Sequence, residues 1–397
     1  MVWNIGIVGA GFAGATCALF LREGGHAVTV YEAVAEPQPV GAGILLQPTG
    51  QDVLRRLGLY DDVEARGATV DELSCVTGDR LVFRLGYADG GSPAGLGLHR
   101  GVLFDVLYRA LRPAGVDVQL GVEVADVRHG CVYDGEDTKR GQHDLVIVAD
   151  GARSTVRERT FAQMRDEAYP FGALWFVAED PERRFQGKLH QQLRGADEMI
   201  GFMATGLGPT GDVPLVSFFY SVASSRVAAL RKAGLGAFKA SVLEVAPQAG
   251  PILAQIHSMD SLLFAGYRDV VLSRPYRDRT VFIGDAGHAM SPQLGQGSNL
   301  ALIDAEELAR HLSEHTDLAH ALDAFWRSRR GHQRLYQFAS RWLTPFFQSD
   351  AQLLGRLRDL TFPLATRFSP LRRRMIRVLS GREAGVLRRP YRFKNGE

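Results

Sequence analysis

The sequence predicts an α/β fold in which a parallel-sheet unit starts at the N-terminus, gives way to a β-rich block, and closes in C-terminal helices. Three observations predict it. Val2 to Tyr31 reads as strand, glycine-rich turn, helix and second strand, the beginning of a βαβ unit. From about Phe171 the texture becomes short runs of alternating apolar residues separated by Gly, Pro and polar positions. Beyond Ser298 the spacing is helical almost without a break to about Val378.

The individual elements follow from local pattern. Val2–Val8 is an apolar strand, GAGFAG a turn, Ala13–Glu23 a helix and Ala27–Tyr31 a strand. Gln51–Leu57 and Gly101–Leu111 carry apolar residues at three- and four-residue spacing and read as helices. Val116–Leu120, Val122–Val127 and Leu145–Val148 read as strands, the last so uniformly apolar that both its faces should be buried. Ala173–Ala178, Lys188–Leu193, Met199–Ala204 and Leu215–Tyr220 make up the β-rich block, with Pro214 tolerable only at a strand entry. Helices follow from Ser225 to Ile256, and Val270–Leu272 and Thr280–Ile283 return to strand.

Bulk properties narrow the functional classes. Lys and Arg total 46 against 44 Asp and Glu, so the net charge of +2 gives no footprint for a nucleic acid. Arg372, Arg373, Arg374, Arg377, Arg382, Arg388, Arg389 and Arg392 cluster at the C-terminus, and read as a solvated basic face. Phe368 to Leu379 also has the pattern of a basic amphipathic helix, which keeps a membrane-docked or regulatory protein as a competing class. Cys17, Cys75 and Cys131 form no spaced pair, so neither a metal site nor a disulfide framework is expected. The unpaired cysteines fit a reducing cytoplasm, and the N-terminal apolar run, without a basic leader and broken by glycines, reads as strand-turn-helix and not as a signal peptide. No stretch has the length of a membrane span.

Three motifs carry the chemistry. In GAGFAG, Gly9 permits a tight turn, Gly11 lets backbone approach a pyrophosphate, and Gly14 lets the helix pack on the strand. Glu32 ends the second strand, where a carboxylate can accept the ribose hydroxyls of an adenosine. In DLVIVADGARSTVR a buried strand delivers Asp150 and Gly151 to its carboxyl edge, Ser154 is placed as an N-cap, and Arg157 lies on the following turn. In GDAGHAMSPQLGQGSN, Gly284 and Asp285 leave a strand edge, with Asp285 placed to bond a polyol. Gly295 and Gly297 allow backbone to approach a planar ring, and a helix starting near Ser298 and Asn299 turns its positive end toward it.

In order and context these three motifs resemble the fingerprints of group A flavin monooxygenases, the single-component aromatic hydroxylases of the para-hydroxybenzoate hydroxylase type. The resemblance spans Met1 to about Leu312, with GAGILLQPTGQDVLRRLGL and LHRGVLFDVL as further family-like segments. Thr49 stands where the family usually has Asn, and Gly287 where it usually has Ala. The resemblance implies a Rossmann-like FAD-binding domain interrupted by a β-sheet substrate domain, with C-terminal helices. On that fold FAD binding falls to 1–70, 97–168 and 268–340, the substrate domain to 71–96 and 169–267, and the closing helices to 341–397.

For mechanism the resemblance implies FAD as cofactor, NADPH or NADH as electron donor, and O2 transferred through a flavin C4a-hydroperoxide to an aromatic or heteroaromatic small molecule. It implies flavin contacts from Arg100, Asp150, Gly151 and Arg157, and Pro292 lining the cavity. His288 is a candidate base, although a loop-shaping role beside Asp285 fits the pattern better. Trp175, His190, Gln192, Phe202, Phe218 and Tyr220 are the candidates for the substrate pocket, and Arg194 for a substrate carboxylate. A monomer or homodimer without stable membrane association is expected. A two-component epoxidase or monooxygenase fed by a separate reductase is the alternative. A halogenase is disfavoured, because Trp3, Trp175, Trp326 and Trp342 form no Trp-x-Trp-x-x-Pro stretch.

Overall fold

A computed structural model describes residues 1–161 and 164–383. Arg388, Arg389 and Arg392 of the basic cluster lie outside the described residues.

The chain opens with β1 (Asn4–Val8), α1 (Phe12–Glu23) and β2 (Ala27–Glu32). It continues with β3 (Gly43–Leu46), α2 (Pro48–Arg56), α3 (Tyr60–Glu64), β4 (Ala68–Thr77), β5 (Arg80–Gly86) and β6 (Gly95–His99). Next come α4 (Arg100–Leu111), β7 (Asp117–Leu120), β8 (Val124–Arg128), β9 (Cys131–Asp134), β10 (Lys139–Gln142), β11 (Leu145–Val148) and α5 (Thr155–Thr160). The β-rich block is β12 (Arg165–Glu179), β13 (Gly187–Arg194), β14 (Glu198–Gly206) and β15 (Leu215–Ala223), followed by α6 (Val227–Val245) and α7 (Gly250–Ala254). The last part is β16 (Leu263–Val271), β17 (Tyr276–Arg277), β18 (Thr280–Phe282), α8 (Asp285–His288), α9 (Gly297–Glu314), α10 (Leu318–Phe347), α11 (Gln352–Arg367) and α12 (Ser369–Leu379).

Two large sheets organise these elements. The first runs β17-β18-β11-β1-β2-β7, and all neighbours except the β17–β18 pair are parallel. Every residue of β11 is buried, as its continuous apolar run requires. Ile5, Ile7, Leu145 and Ile147 pack under α1, α4 and α9. Val8, Val146 and Val148 face the other way, into a core shared with β8, β9 and Val156 of α5.

The second sheet runs β16-β12-β15-β14-β13-β4-β6-β3, with β5 paired to β4. The strands β3 to β6 carry no clean alternation in sequence and are found only in the structure. They come from the segment between β2 and α4, so β3, which lies within the span assigned to FAD binding, joins the substrate-domain sheet. One face of this sheet packs on α6 and α7, and the other on α10, α11 and α12.

Candidate functional site

Because β1, β2, β11 and β18 are parallel neighbours, their carboxyl ends lie along one edge of the first sheet. That edge gathers the GAGFAG turn, Glu32, Asp150-Gly151 and Gly284-Asp285 side by side. Ligands of open α/β sheets bind at this edge.

The glycines divide into two kinds. Gly9 has φ +95°, and Gly14 sits so near it that a Cβ on Gly14 would fall 1.9 Å from the Gly9 carbonyl oxygen. Those two close the turn and seat the helix on the strand. Gly11 and Gly151 have no atom within 4 Å of where a Cβ would stand. At Gly297 the nearest atom would be Asp285 Oδ1 at 3.7 Å, and at Gly295 the Leu45 Cβ at 3.9 Å. The four open positions outline a cradle of backbone along the sheet edge, which suits a long flat ligand.

The polar groups at the edge are held for such a ligand. Glu32 accepts from the backbone N–H of Ala10 (2.8 Å) and of Val34 (2.9 Å), which fixes its carboxylate beside the first glycine turn. Asp150 accepts from the Ser154 hydroxyl (2.8 Å), while its other oxygen is buried without a partner. Burial pushes its pKa up to about 6, against the opposing effect of the Ser154 hydrogen bond. Arg100 begins α4 with its guanidinium 5.4 Å from the Phe12 ring, next to the first turn of α1. Asp285 is exposed, and Pro292 is exposed at the start of a short turn leading to Gly295. The N–H groups at the start of the 18-residue helix α9 point to the same loop.

Two expected contacts, Arg157 and Asn299, have other roles in the structure, and His288 has the loop-shaping role preferred for it. The Arg157 guanidinium is fully buried, donating to Asp166 (2.5 Å) and to the carbonyls of Ala286 (3.0 Å) and Ala152 (2.8 Å). It ties the Asp150 loop to the Asp285 loop and has no face for a ligand. The Asn299 side chain accepts from the Gln47 N–H (2.8 Å) and donates to the Gly295 carbonyl (3.0 Å), clamping α9 to the turn after β3. His288 is inside the protein with its Nε2 hydrogen-bonded to Asp304 Oδ2, so it shapes the loop and is not placed to take a substrate proton. Gly287, the family departure, allows a tight turn, since a Cβ there would fall 2.9 Å from the Phe282 carbonyl oxygen.

Asp304 is the residue that sequence reading missed. Besides His288 it accepts from Arg329 Nε (2.7 Å), Gln333 Nε2 (2.9 Å) and the backbone N–H of Gly284 (3.2 Å). Burial alone would raise the Asp304 carboxyl, but His288 and Arg329 hold it well below the usual carboxylate range. Burial likewise works to lower His288, and Asp304 outweighs it, so the imidazole pKa is raised. The available signal was an aspartate on the apolar face of α9, where a charge needs a buried partner.

Pocket candidates split by strand parity. Phe202, Phe218 and Tyr220 belong to the core under α6. His190 stacks against Phe202 and hydrogen-bonds Ser74, and Gln192 donates to the Gly78 carbonyl. These five residues lie on the face that α6 covers, opposite the inner face, which shares a cluster with Leu45 of β3. Only Trp175 of the six is on the inner face, where it packs against Phe219 at 5.1 Å between ring centroids. On that face Trp175, Phe219, Met203 and Tyr267 pack in one cluster with Phe346 of α10 and with Leu45, the neighbour of Gly295, and this inner face is the candidate wall of a substrate pocket. Arg194 is spent on Glu198 (2.6 Å) and Glu244 (3.0 Å).

A further cluster, His311, Glu314 and His315, sits at the far end of α9, in an H-x-x-E-H pattern that sequence reading passed over. Arg310 already donates to Glu314 (2.7 Å) and to the His311 ring (2.8 Å), so a cation stands there.

Comparison with known proteins decides the family. The sequence matches the FAD binding domain family over residues 3–334. The chain belongs to the group A FAD-dependent aromatic hydroxylases. It is 27% identical over 339 residues to the putative FAD-dependent monooxygenase YetM of Bacillus subtilis, covering 81% of this chain and 88% of that protein. It is 30% identical over 348 residues to the 3-hydroxy-4-methyl-anthranilyl-[aryl-carrier protein] 5-monooxygenase of Streptosporangium sibiricum, covering 85% and 88%. Its fold is similar to the tetrameric form of 2-methyl-3-hydroxypyridine-5-carboxylic acid oxygenase, with TM-score 0.78, 22% identity and coverage of 95% and 96%. The fold of this flavin hydroxylase is thus the para-hydroxybenzoate hydroxylase type.

Proposed function

We propose that this flavin hydroxylase consumes NAD(P)H and O2 to hydroxylate an uncharged aromatic or heteroaromatic small molecule. FAD, when bound, supplies reduction by NAD(P)H and the reaction with O2 that sends one oxygen atom to the substrate and the other to water. The chain's own residues bind and orient. The amides around Gly11 and the start of α1 take the pyrophosphate, Glu32 the adenosine ribose and Asp285 the ribityl chain, with Arg100 beside the pyrophosphate. Gly295, Gly297 and Ser298 offer backbone to the ring, and the start of α9 favours negative charge on its pyrimidine side. Asp150 and Gly151 border the same edge, and Pro292 lines the way to the ring.

The observation that carries the substrate class is the inner wall. It is aromatic and apolar, and several arginines of this part of the fold are committed to other partners. Arg341 makes a two-pronged pair with Asp269 (2.9 and 3.0 Å), Arg268 pairs with Asp166 (2.6 Å), and Arg66 donates to the carbonyls of Gly208 and Gly211. Arg358 is buried against the carbonyls of Phe346 and Gly195. A substrate carboxylate entering that wall would be desolvated without a matching cation. The relative from Streptosporangium sibiricum, by its name, acts on an anthranilyl group carried on a protein.

The test is anaerobic reduction followed in the visible spectrum with NADPH and with NADH, across neutral phenols, quinolones and aromatic acids. Faster bleaching with a neutral ring, then a product one oxygen heavier once air is admitted, is the expected result. Bleaching stimulated only by aromatic acids would sink the substrate class, and bleaching only with a separate reductase would sink the single-component reading.

A further inference from the structure

The helix α11 is built inside out. Its inward face carries Gly355, Arg358 and Thr366, while Leu353, Leu357, Leu360 and Leu364 point to solvent at 75, 44, 59 and 61% exposure. At 100° per residue these four leucines fall within an arc of about 60°. Phe368 (63%), between the two helices, and Leu371 (41%), in α12, are exposed as well. An apolar ridge of this length on the outside of a folded chain is an interaction surface.

Its charges say what kind. Gln352 to Leu379 contains seven arginines, one aspartate and no glutamate. Asp359 is turned inward onto Arg358 and Thr77. Arg356 and Arg367 flank the leucine stripe on one side, and Arg373 is exposed on the next helix. None of the three forms an ion pair with a described residue. The chain beyond Glu383 carries Arg388, Arg389, Arg392 and Lys394, so its own tail is electrostatically a poor cover for this face. The apolar face of α12 is not available for the same purpose, since Ile376 and Leu379 are buried against β5 and its following turn.

We propose that the α11–α12 ridge docks the enzyme on an anionic lipid surface, lying in the interface and not crossing it. No helix among the described residues is long and apolar enough to span a membrane. Leucines inserted between headgroups with arginines at the phosphate level is the usual arrangement of an interfacial helix. The ridge belongs to the layer that backs the inner wall, through Phe362 of α11 packed on Phe346 and Phe347. This proposal does not rest on the reading of the substrate.

Flotation of the full-length holoenzyme with phosphatidylcholine vesicles, with and without phosphatidylglycerol, tests it. The enzyme should float with the anionic vesicles at low salt and be released at high salt. Two triple variants, Leu357→Ser/Leu360→Ser/Leu364→Ser and Arg356→Gln/Arg367→Gln/Arg373→Gln, should keep their flavin and stay at the bottom. The arginine variant should lower partitioning on the order of a hundredfold. Failure of the wild type to float, or equal flotation on pure phosphatidylcholine, would overturn the proposal. So would a dimer in light scattering that the leucine variant dissolves while neither form floats, because a second copy would then be what covers the ridge.

Discussion

Asp304, two turns into α9, holds His288 by its ring and the Gly284 N–H by the same oxygen, while its other oxygen takes Arg329 and Gln333. One buried carboxylate thereby fixes the loop that starts at Asp285 and ends at Gly297. The chain continues outward, since Arg329 donates to His332 (2.8 Å) and His332 to the carbonyl of Gly381 (2.9 Å). The loop expected to meet the flavin is therefore tied to the end of α12.

The pair gives a pH dependence of defined sign. His288 is raised in the folded protein, so its contribution is complete below the ordinary imidazole value of about 6.5 and fades as pH climbs through the raised one. Asp304 is depressed, so its contribution is present above the ordinary carboxylate value of about 3.9 and is lost only in stronger acid. Stability from the pair should be full between those two values and decline on the alkaline side. His288→Gln should flatten that alkaline decline, as read by urea unfolding across pH. Parallel curves for the two proteins would defeat the idea. Asp304→Ala, which removes the buried carboxylate shared by His288, Arg329 and Gln333, should cost about 3–5 kcal/mol.

Gly11→Val separates folding from cofactor binding. The φ of Gly11 is −68° and nothing lies within 4 Å of its would-be Cβ, so the apoprotein should fold and melt as the wild type does. The added side chain should nevertheless exclude the pyrophosphate and leave a colourless protein. Asp285→Ala should also purify with less flavin, because it removes the acceptor proposed for the ribityl chain. Normal absorbance at the flavin bands in either variant would remove the corresponding assignment.

Asp150 should act in the opposite sense to Asp304. Its pKa is raised to about 6, so the folded apoprotein is favoured while the group is protonated and loses stability as pH rises through that value. At pH 7 and above, the strain amounts to about 3 kcal/mol at most. Asp150→Asn should relieve it, so the flavin-free variant should melt higher than wild type at neutral pH, the difference vanishing near pH 4. Equal melting temperatures at pH 7.5 would show that the carboxylate is better solvated than its burial indicates.

The parts legible in sequence were those set by local rules. A strand buried on both faces, a turn that needs Gly9, and a helix starting after Gly297 each leave a pattern within a dozen residues, and the structure places them where that pattern says. The strands β3 to β6 leave no such pattern, because they are paired at a distance and half covered by other elements. Asp304 was equally hidden, since only tertiary packing shows that an aspartate in α9 meets a histidine and an arginine from two other elements. Alternation identified which pocket candidates share a face, as with His190 and Gln192, but could not say which face looks toward the first sheet. That depends on α6 packing against the even-numbered residues of β14 and β15.

The adjacent residues Phe218 and Phe219 turn this last point into a measurement. Phe218 is fully buried under α6, tilted against Phe202 and edge-on to Phe238, while Phe219 is part of the inner wall against Trp175. Phe219 is accommodated there because Gly201 opposite it has no side chain: a Cβ on Gly201 would fall 1.9 Å from the Phe219 ring. Both alanine variants should lose about 3–5 kcal/mol of stability, since each deletes a buried ring. Only Phe219→Ala should change the substrate concentration that half-saturates stimulated bleaching, and it should widen the range of rings accepted. Phe218→Ala should leave that concentration unchanged in the fraction that remains folded. If instead Phe218→Ala alone shifts it, the pocket lies on the α6 side of the sheet and the inner wall is ordinary core.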